Sequence, residues 1–328
     1  MNDREAHKPH PTPQSCAAAV ADGATAKPYN DYSSWIRRQF DFRVQKISID
    51  AGFTCPNRDG RLSRGGCTFC DNRTFSPQYC GQGKSIAQQL AEGKAFFARK
   101  YPGMRYLAYF QAYSNTYAPI DVLRRRYEEA LAADGVVGLV IGTRPDAIDD
   151  AVLDYLEELN RQTFLIVEYG IESANDDTLL RVNRGHTFAC SRQAFSATHQ
   201  RGIRTGGHVI IGLPGEDEDE TLRQARDISS LDIDLLKIHQ MQIIRGTPLA
   251  AEYARRPFRL YTADEYIRLV TAYVERLRKD IVIERFVSQS PAHLLIGPKW
   301  GLKNHEFTAR LEKHMKAAGA FQGRLYTE

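Results

Sequence analysis

From residue 44 onward the chain alternates short apolar runs with longer amphipathic ones. VQKISID (44–50), RYLAYFQAY (105–113), VVGLVIGT (136–143), TFLIVEYGIES (163–173), IRTGGHVIIGL (203–213) and IDLLKIHQMQII (233–244) read as strands. Several are apolar almost without interruption, as strands buried on both faces must be. Between them lie helical patterns at 85–100, 119–133, 149–160, 175–182, 187–201 and 218–230. Ser85 is placed to cap the first of these and Pro119 opens the second. A helix over 263–280 and a short strand, IVIERF (281–286), close the series. Six β-then-α units predict a parallel sheet covered by helices. They are too few for a closed eight-stranded barrel, so the expected α/β fold is a partial (β/α)6 TIM-like barrel, open on one side. Its core is expected over residues 31–286, with a short C-terminal extension at 287–328. Residues 1–30 show no periodicity and read as a disordered tail.

Composition adds limits. The chain has 328 residues, 42% hydrophobic and 26% charged, as an ordinary globular protein would. No apolar run approaches the roughly 20 residues of a membrane span. The stretch CAAAVA near the N-terminus is too short for a signal peptide, so a cytoplasmic location and reduced thiols are expected. A net charge of +4 permits a nucleic-acid partner without requiring one.

The chemistry concentrates in CPNRDGRLSRGGCTFC (55–70), directly after the first strand, which holds three of the six cysteines. In such folds the chemistry sits at the C-terminal ends of the strands. Cys67 and Cys70, two residues apart, can bind one metal centre from a single turn. The pair alone fits zinc or an iron–sulfur cluster equally. Structural zinc wants a fourth ligand, for which Cys80 is the nearby candidate. A cluster that does chemistry keeps one iron open and needs only Cys55, Cys67 and Cys70. Ligand softness and count favour the cluster. Cys190, in a helical stretch, reads as core.

The three-cysteine loop on this barrel resembles the radical S-adenosylmethionine superfamily. Its long first gap is similar to the branch containing the YhcC/YtqA-like proteins and the catalytic subunit of Elongator. CPNRDG…GGCTFCDN resembles the former most closely. The likeness continues through YFQAYSNTYAP (109–119), TRPDAI (143–148), EYGIESANDDTLLRVNRGHT (168–187), GGHVIIGLPGE (206–216), LKIHQMQIIRGTPL (236–249) and PKWGLKNHEF (298–307).

The resemblance implies a 4Fe-4S cluster held by Cys55, Cys67 and Cys70. It also implies S-adenosylmethionine, reductively cleaved to give a 5′-deoxyadenosyl radical, and an electron donor such as flavodoxin or ferredoxin. Phe69 matches the aromatic position against the adenine, with loop packing as its alternative. Ser114 and Asn115 stand where relatives meet the methionyl amine, although AYSN here replaces a glycine-rich motif. Glu172 and Ser173 suit the ribose hydroxyls or the amine, and Arg184 suits the methionyl carboxylate. His208 is a further cofactor-binding candidate, equally readable as a core histidine. The substrate expected from the Elongator likeness is tRNA, at a modified wobble uridine. Arg37, Arg38, Lys299, Lys303, His305, Lys313 and Lys316 are candidate RNA contacts, with Trp300 to stack on a base. The alternatives are a maturase acting on a protein or small molecule, an oxidase of the coproporphyrinogen type, and a zinc-stabilised binding module.

Overall fold

A computed structural model describes residues 27–81, 83–98 and 103–327. Cys16 and residues 1–26 of the expected tail lie outside the described residues. The elements run α1 (Tyr32–Gln39), β1 (Val44–Ile49), α2 (Ile86–Ala98), β2 (Arg105–Phe110), α3 (Ile120–Leu131), β3 (Val136–Thr143) and α4 (Asp150–Asn160). They continue with β4 (Phe164–Glu172), α5 (Asp176–Arg181), α6 (Phe188–Gln200), β5 (Arg204–Ile211), α7 (Glu218–Ser229) and β6 (Leu235–Gln240). The last are β7 (Ile243–Ile244), α8 (Pro248–Arg255), α9 (Ala263–Glu275), β8 (Val282–Arg285), β9 (Leu295–Gly297) and α10 (Asn304–Ala317). Strands β1 to β6 and then β8 form one seven-stranded sheet in chain order, every neighbouring pair parallel. This is the expected partial barrel. The run read as one strand over 233–244 breaks in two, because β7 turns away to pair antiparallel with β9.

Alternation along each strand divides the interior from the helical shell. Leu165, Val167, Tyr169 and Ile171 of β4 face outward and join the large core under the helices, where Leu123, Tyr127, Leu156 and Phe195 meet them. Phe164 and Ile166 face the other way. With Leu107, Tyr109, Val140, Leu235 and Val282 they form a second core inside the curl of the sheet. Helix α1 is set into that core through Ile36, with Trp35, Phe40 and Tyr32 packed against it. Asp31 caps α1 by accepting from the Ser33 and Ser34 N–H groups, and its backbone bridges to Ile283 of β8. The helix therefore stoppers the barrel at the N-terminal ends of its strands.

Further along the same inward face, apolar residues give way to Lys46, Glu168 and Lys237, and then to Gly170, Glu172 and His239. The interior is thus graded from oil to charge toward the C-terminal ends. The segment outside the seven strands also packs tightly. Trp300 stacks on Phe307, with ring centroids 5.5 Å apart, and lies against Tyr266 of α9. Tyr29 is buried and donates to Glu312 of α10.

Candidate active site

The cysteine loop follows β1 and is held from three directions. The Arg58 N–H donates to the Cys55 carbonyl at 2.8 Å, and the Cys70 N–H closes the Cys-x-x-Cys turn on the Cys67 carbonyl at 3.0 Å. Thr68 ties the loop to the segment after α5 through its N–H to the Val182 carbonyl, and to α8 through the Leu249 N–H. Gly65 and Gly66 both take positive φ (+92° and +81°), which lets the chain reverse into Cys67.

Two asparagines absent from the sequence reading lock this arrangement. Asn57 is fully buried and donates to the Asn183 carbonyl at 2.5 Å, while Asn183 donates to the Gly66 carbonyl at 2.8 Å. Asn183 sits at φ +54°, a left-handed conformation that asparagine tolerates better than most side chains. Their signal was their place in the motifs: Asn57 two residues after Cys55, Asn183 next to Arg184.

Cys55, Cys67 and Cys70 line one wall of a single open cavity at the C-terminal ends of the strands. The Cys67 sulfur lies 3.6 Å from both Asn57 Nδ2 and Arg184 Nη1. Burial pushes the Cys70 thiol up to about 12, the neighbouring Cys67 adds to this, and a hydrogen bond from Arg58 opposes it. Cys80 is turned elsewhere. Its Sγ donates to the Ser48 carbonyl of β1 at 2.9 Å, and it is not among the residues lining the cavity. Cys190 corrects the sequence reading: it is half-buried on α6 rather than part of the core, because Phe188, Ala194 and Phe195 supply that helix's apolar face.

The structure separates the remaining candidates. Phe69, Ser114, Glu172, Arg184 and His208 all line the cavity. Ser114 is wholly buried and its Oγ has no partner among the described residues. Asn115 is turned into the strand ends, where its Nδ2 donates to the Gly142 carbonyl at 2.7 Å and the Phe110 carbonyl at 3.1 Å. Ser173 likewise braces the scaffold: its Oγ donates to Glu216 and accepts from the Asn175 N–H.

Arg184 is 5% exposed. Its Nη2 donates to the Gly170 carbonyl at 2.5 Å and stands 3.9 Å from Glu172 Oε1, while its Nε has no partner among the described residues. Glu172 ends β4 at φ +70°, an uncommon conformation for glutamate. Burial raises its carboxyl, and Arg184 and Arg144 pull the other way. A Cβ at Gly170 would meet Glu172 Oε1 at 2.5 Å and Arg184 Nη2 at 2.7 Å, so both side-chain ends would have to shift. Arg144, from TRPDAI, forms a two-pronged pair with Asp146 and donates to the Arg184 carbonyl at 2.7 Å. Its Nη1 is also buried and unpartnered among the described residues.

The interior charges were missed as a group. Glu168 of β4 accepts from Lys46 of β1 at 2.8 Å, Lys237 of β6 at 2.6 Å and His208 of β5 at 3.2 Å. Glu284 of β8 pairs with the same lysines at 2.6 and 3.3 Å. Burial alone would raise the Glu168 carboxyl, but Lys237 and Lys46 outweigh it and hold it well below the carboxylate range. Burial draws the Lys237 ammonium down to about 8, against the pull of Glu168. Burial, then Lys237, lowers His208 to about 4, and burial with Arg285 keeps His239 neutral as well. The available signal was a charged or polar residue at alternate positions of otherwise apolar strands, as Lys237 and His239 in LLKIHQ.

The candidate RNA contacts do not form one face. Arg37 and Arg38 end α1, beside the stoppered end and away from the cavity mouth. Trp300 is not available to stack on a base, because its ring is packed on Phe307 and Tyr266 and its Nε1 donates to the Tyr261 carbonyl at 2.9 Å. Lys299, Lys303, His305, Lys313 and Lys316 are exposed.

Comparison with known proteins shows the family and the fold. Residues 55–228 match the Radical SAM superfamily and residues 233–317 the Radical_SAM C-terminal domain. YtqA of Bacillus subtilis (strain 168) is 36% identical over 303 residues, covering 92% of this chain and 94% of that protein. YhcC of Escherichia coli (strain K12) is 34% identical over 291 residues, 88% and 93% of the two chains. The tRNA uridine(34) acetyltransferase of Methanocaldococcus jannaschii is 24% identical over 186 residues, 56% of this chain and 33% of that one. Among solved structures, the archaeal Elp3 of Methanocaldococcus infernus shares the fold with a TM-score of 0.65 at 16% identity, over 86% of this chain and 64% of that chain. Among the described residues no helix is long and apolar enough to cross a membrane.

Proposed function

Because the chain belongs to the radical SAM superfamily, whose enzymes use a 4Fe-4S cluster and S-adenosylmethionine, we propose that it modifies tRNA at a wobble uridine already carrying a substituent. The residues fit both cofactors. Three thiols share one cavity while Cys80 bonds elsewhere, which matches a cluster with one open iron. Ser114 Oγ, Arg144 Nη1 and Arg184 Nε are buried beside it without partners among the described residues, and a ligand with an amine and a carboxylate would satisfy such groups.

Cys55, Cys67 and Cys70 would hold the cluster. Arg184 would meet the methionyl carboxylate, Glu172 the amine or ribose hydroxyls, and Phe69 the adenine. When bound, these groups supply one-electron cleavage of the sulfonium and a carbon radical able to abstract hydrogen. An electron donor such as flavodoxin or ferredoxin would deliver the electron. The protein's own part is to fix these groups, to keep water out from the stoppered end, and to present the substrate atom.

The observation that carries the tRNA reading is the likeness to the tRNA uridine(34) acetyltransferase over 186 residues. Exposed Lys299, Lys303, Lys313 and Lys316 support it through phosphate contacts, so affinity for tRNA should fall steeply with salt. Nucleoside analysis of tRNA from a strain lacking the gene tests the proposal. The expected result is loss of one wobble-uridine nucleoside and accumulation of its precursor. An unchanged profile overturns it and leaves a protein or small molecule as substrate.

A further inference from the structure

The interior charges do not balance. Lys46, Lys237 and Arg285 face the two carboxylates of Glu168 and Glu284, with His208 and His239 neutral and Tyr109 and Tyr32 un-ionised beside them. Both lysines lie within 3.3 Å of carboxylates. Arg285 makes no ion pair with an acid among the described residues. Its Nε and Nη2 instead donate to one acceptor, His239 Nε2, at 3.1 and 2.7 Å. Arg285, His239 and His208 all line the cavity, and the two rings stack at 5.4 Å.

The hydrogen bonds fix the tautomers. His239 accepts at Nε2, so its Nδ1 carries the proton and is a donor. His208 donates from Nε2 to Glu168, so its Nδ1 is an acceptor. The inner end of the cavity thus holds one uncompensated guanidinium, with a neutral imidazole N–H donor on the ring it grips.

We propose that this inner end is a subsite for a carboxylate borne on a short substituent of the substrate, with Arg285 as its cation. A single surplus positive charge matches a monoanion, and the planar guanidinium fork suits a carboxylate. A phosphate dianion would need a second free cation. The backbone phosphates of an RNA would remain outside while a base and its substituent entered. Identifying the substituent as part of a uridine rests on the tRNA reading above; the carboxylate subsite itself does not.

The test uses reconstituted enzyme with S-adenosylmethionine. Binding of 5-carboxymethyluridine is compared by calorimetry with its neutral isostere, 5-carbamoylmethyluridine. In parallel, acetate and inorganic phosphate are compared with chloride at matched ionic strength for their effect on the unfolding temperature. The carboxylate nucleoside is expected to bind at least tenfold tighter than the amide. Arg285→Met should remove the preference and Arg285→Lys retain part of it, with cluster absorbance intact. Acetate, and not phosphate, should raise the unfolding temperature. Equal binding of the two nucleosides together with no effect of acetate on the wild-type protein overturns the subsite, whatever the variants do. So does a preference that survives Arg285→Met. An acetate effect that depends on Arg285 upholds the subsite even where both nucleosides fail to bind or the tRNA profile is unchanged, and the failure then belongs to the tRNA reading.

Discussion

Replacing Glu168 by glutamine takes one negative charge from a site where two ammonium groups and an imidazole converge on it. The carboxylate is 2% exposed, with Lys46 at 2.8 Å and Lys237 at 2.6 Å. At an effective dielectric of about 20 each contact has a gross attraction of about 6 kcal/mol, most of it offset by the dehydration of both partners. Removing one member leaves that dehydration uncompensated, and the expected loss is about 3–5 kcal/mol. At about 2.1 cal/mol/K per residue over about 300 residues, this lowers the unfolding temperature by about 5–8 °C. Glu284→Gln should cost less, because that side chain is 13% exposed and water replaces part of what is lost. The double variant Glu168→Gln/Lys237→Met should recover part of the stability, since it removes the stranded ammonium along with the acid. The deficit of Glu168→Gln should also shrink as pH rises toward about 8 and then level off, because without Glu168 the Lys237 ammonium sheds its proton below the value of about 8 it has beside that carboxylate. Thermal unfolding followed by circular dichroism under anaerobic conditions measures all three. A loss below about 1 kcal/mol for Glu168→Gln, or a double variant less stable than the single one, refutes the reasoning.

Two other outcomes follow from the site. Alanine at Cys55, Cys67 or Cys70 should abolish or sharply reduce iron–sulfur absorbance, whereas Cys80→Ala should keep it; the reverse pattern in anaerobically reconstituted protein would reassign the ligands. Acid should destabilise the protein over a defined window. The folded-state pKa of His208, about 4, lies below the ordinary value near 6.5. Between the two, the unfolded chain binds a proton that the folded one refuses, so stability falls as pH drops from about 6.5 to about 4, by up to about 1.4 kcal/mol per pH unit, and this contribution falls no further below. His239 acts in the same direction. Urea midpoints across that range should show a shallower slope for His208→Gln.

The barrel was legible because each strand is buried twice. FLIVEYGIE carries outward apolar residues for the helices and inward ones for the lower core, leaving a nearly unbroken run that the parallel reading requires. The cysteine loop was legible because a polar loop has no packing reason to collect thiols. The Glu168 cluster was not, because Lys46 lies 122 residues away and meets it only when the sheet curls. Asn115 and Ser173 stand in the expected motifs, yet their side chains serve the strand ends, a difference of orientation that the motif does not carry. Trp300 read as free because its partners, Tyr266 and Phe307, belong to two helices whose packing no local pattern reveals.

Helix α1, seated among Leu107, Val140, Phe164 and Leu235, has a consequence for traffic. With the lower end closed by α1, a molecule that reaches Arg285 enters the same open cavity that Cys67 and Arg184 line. Whatever binds deepest shares its way in and out with the groups bound at the cavity wall. Cutting a second opening, by shaving Trp35 or Ile36, would let solvent in behind the reacting groups.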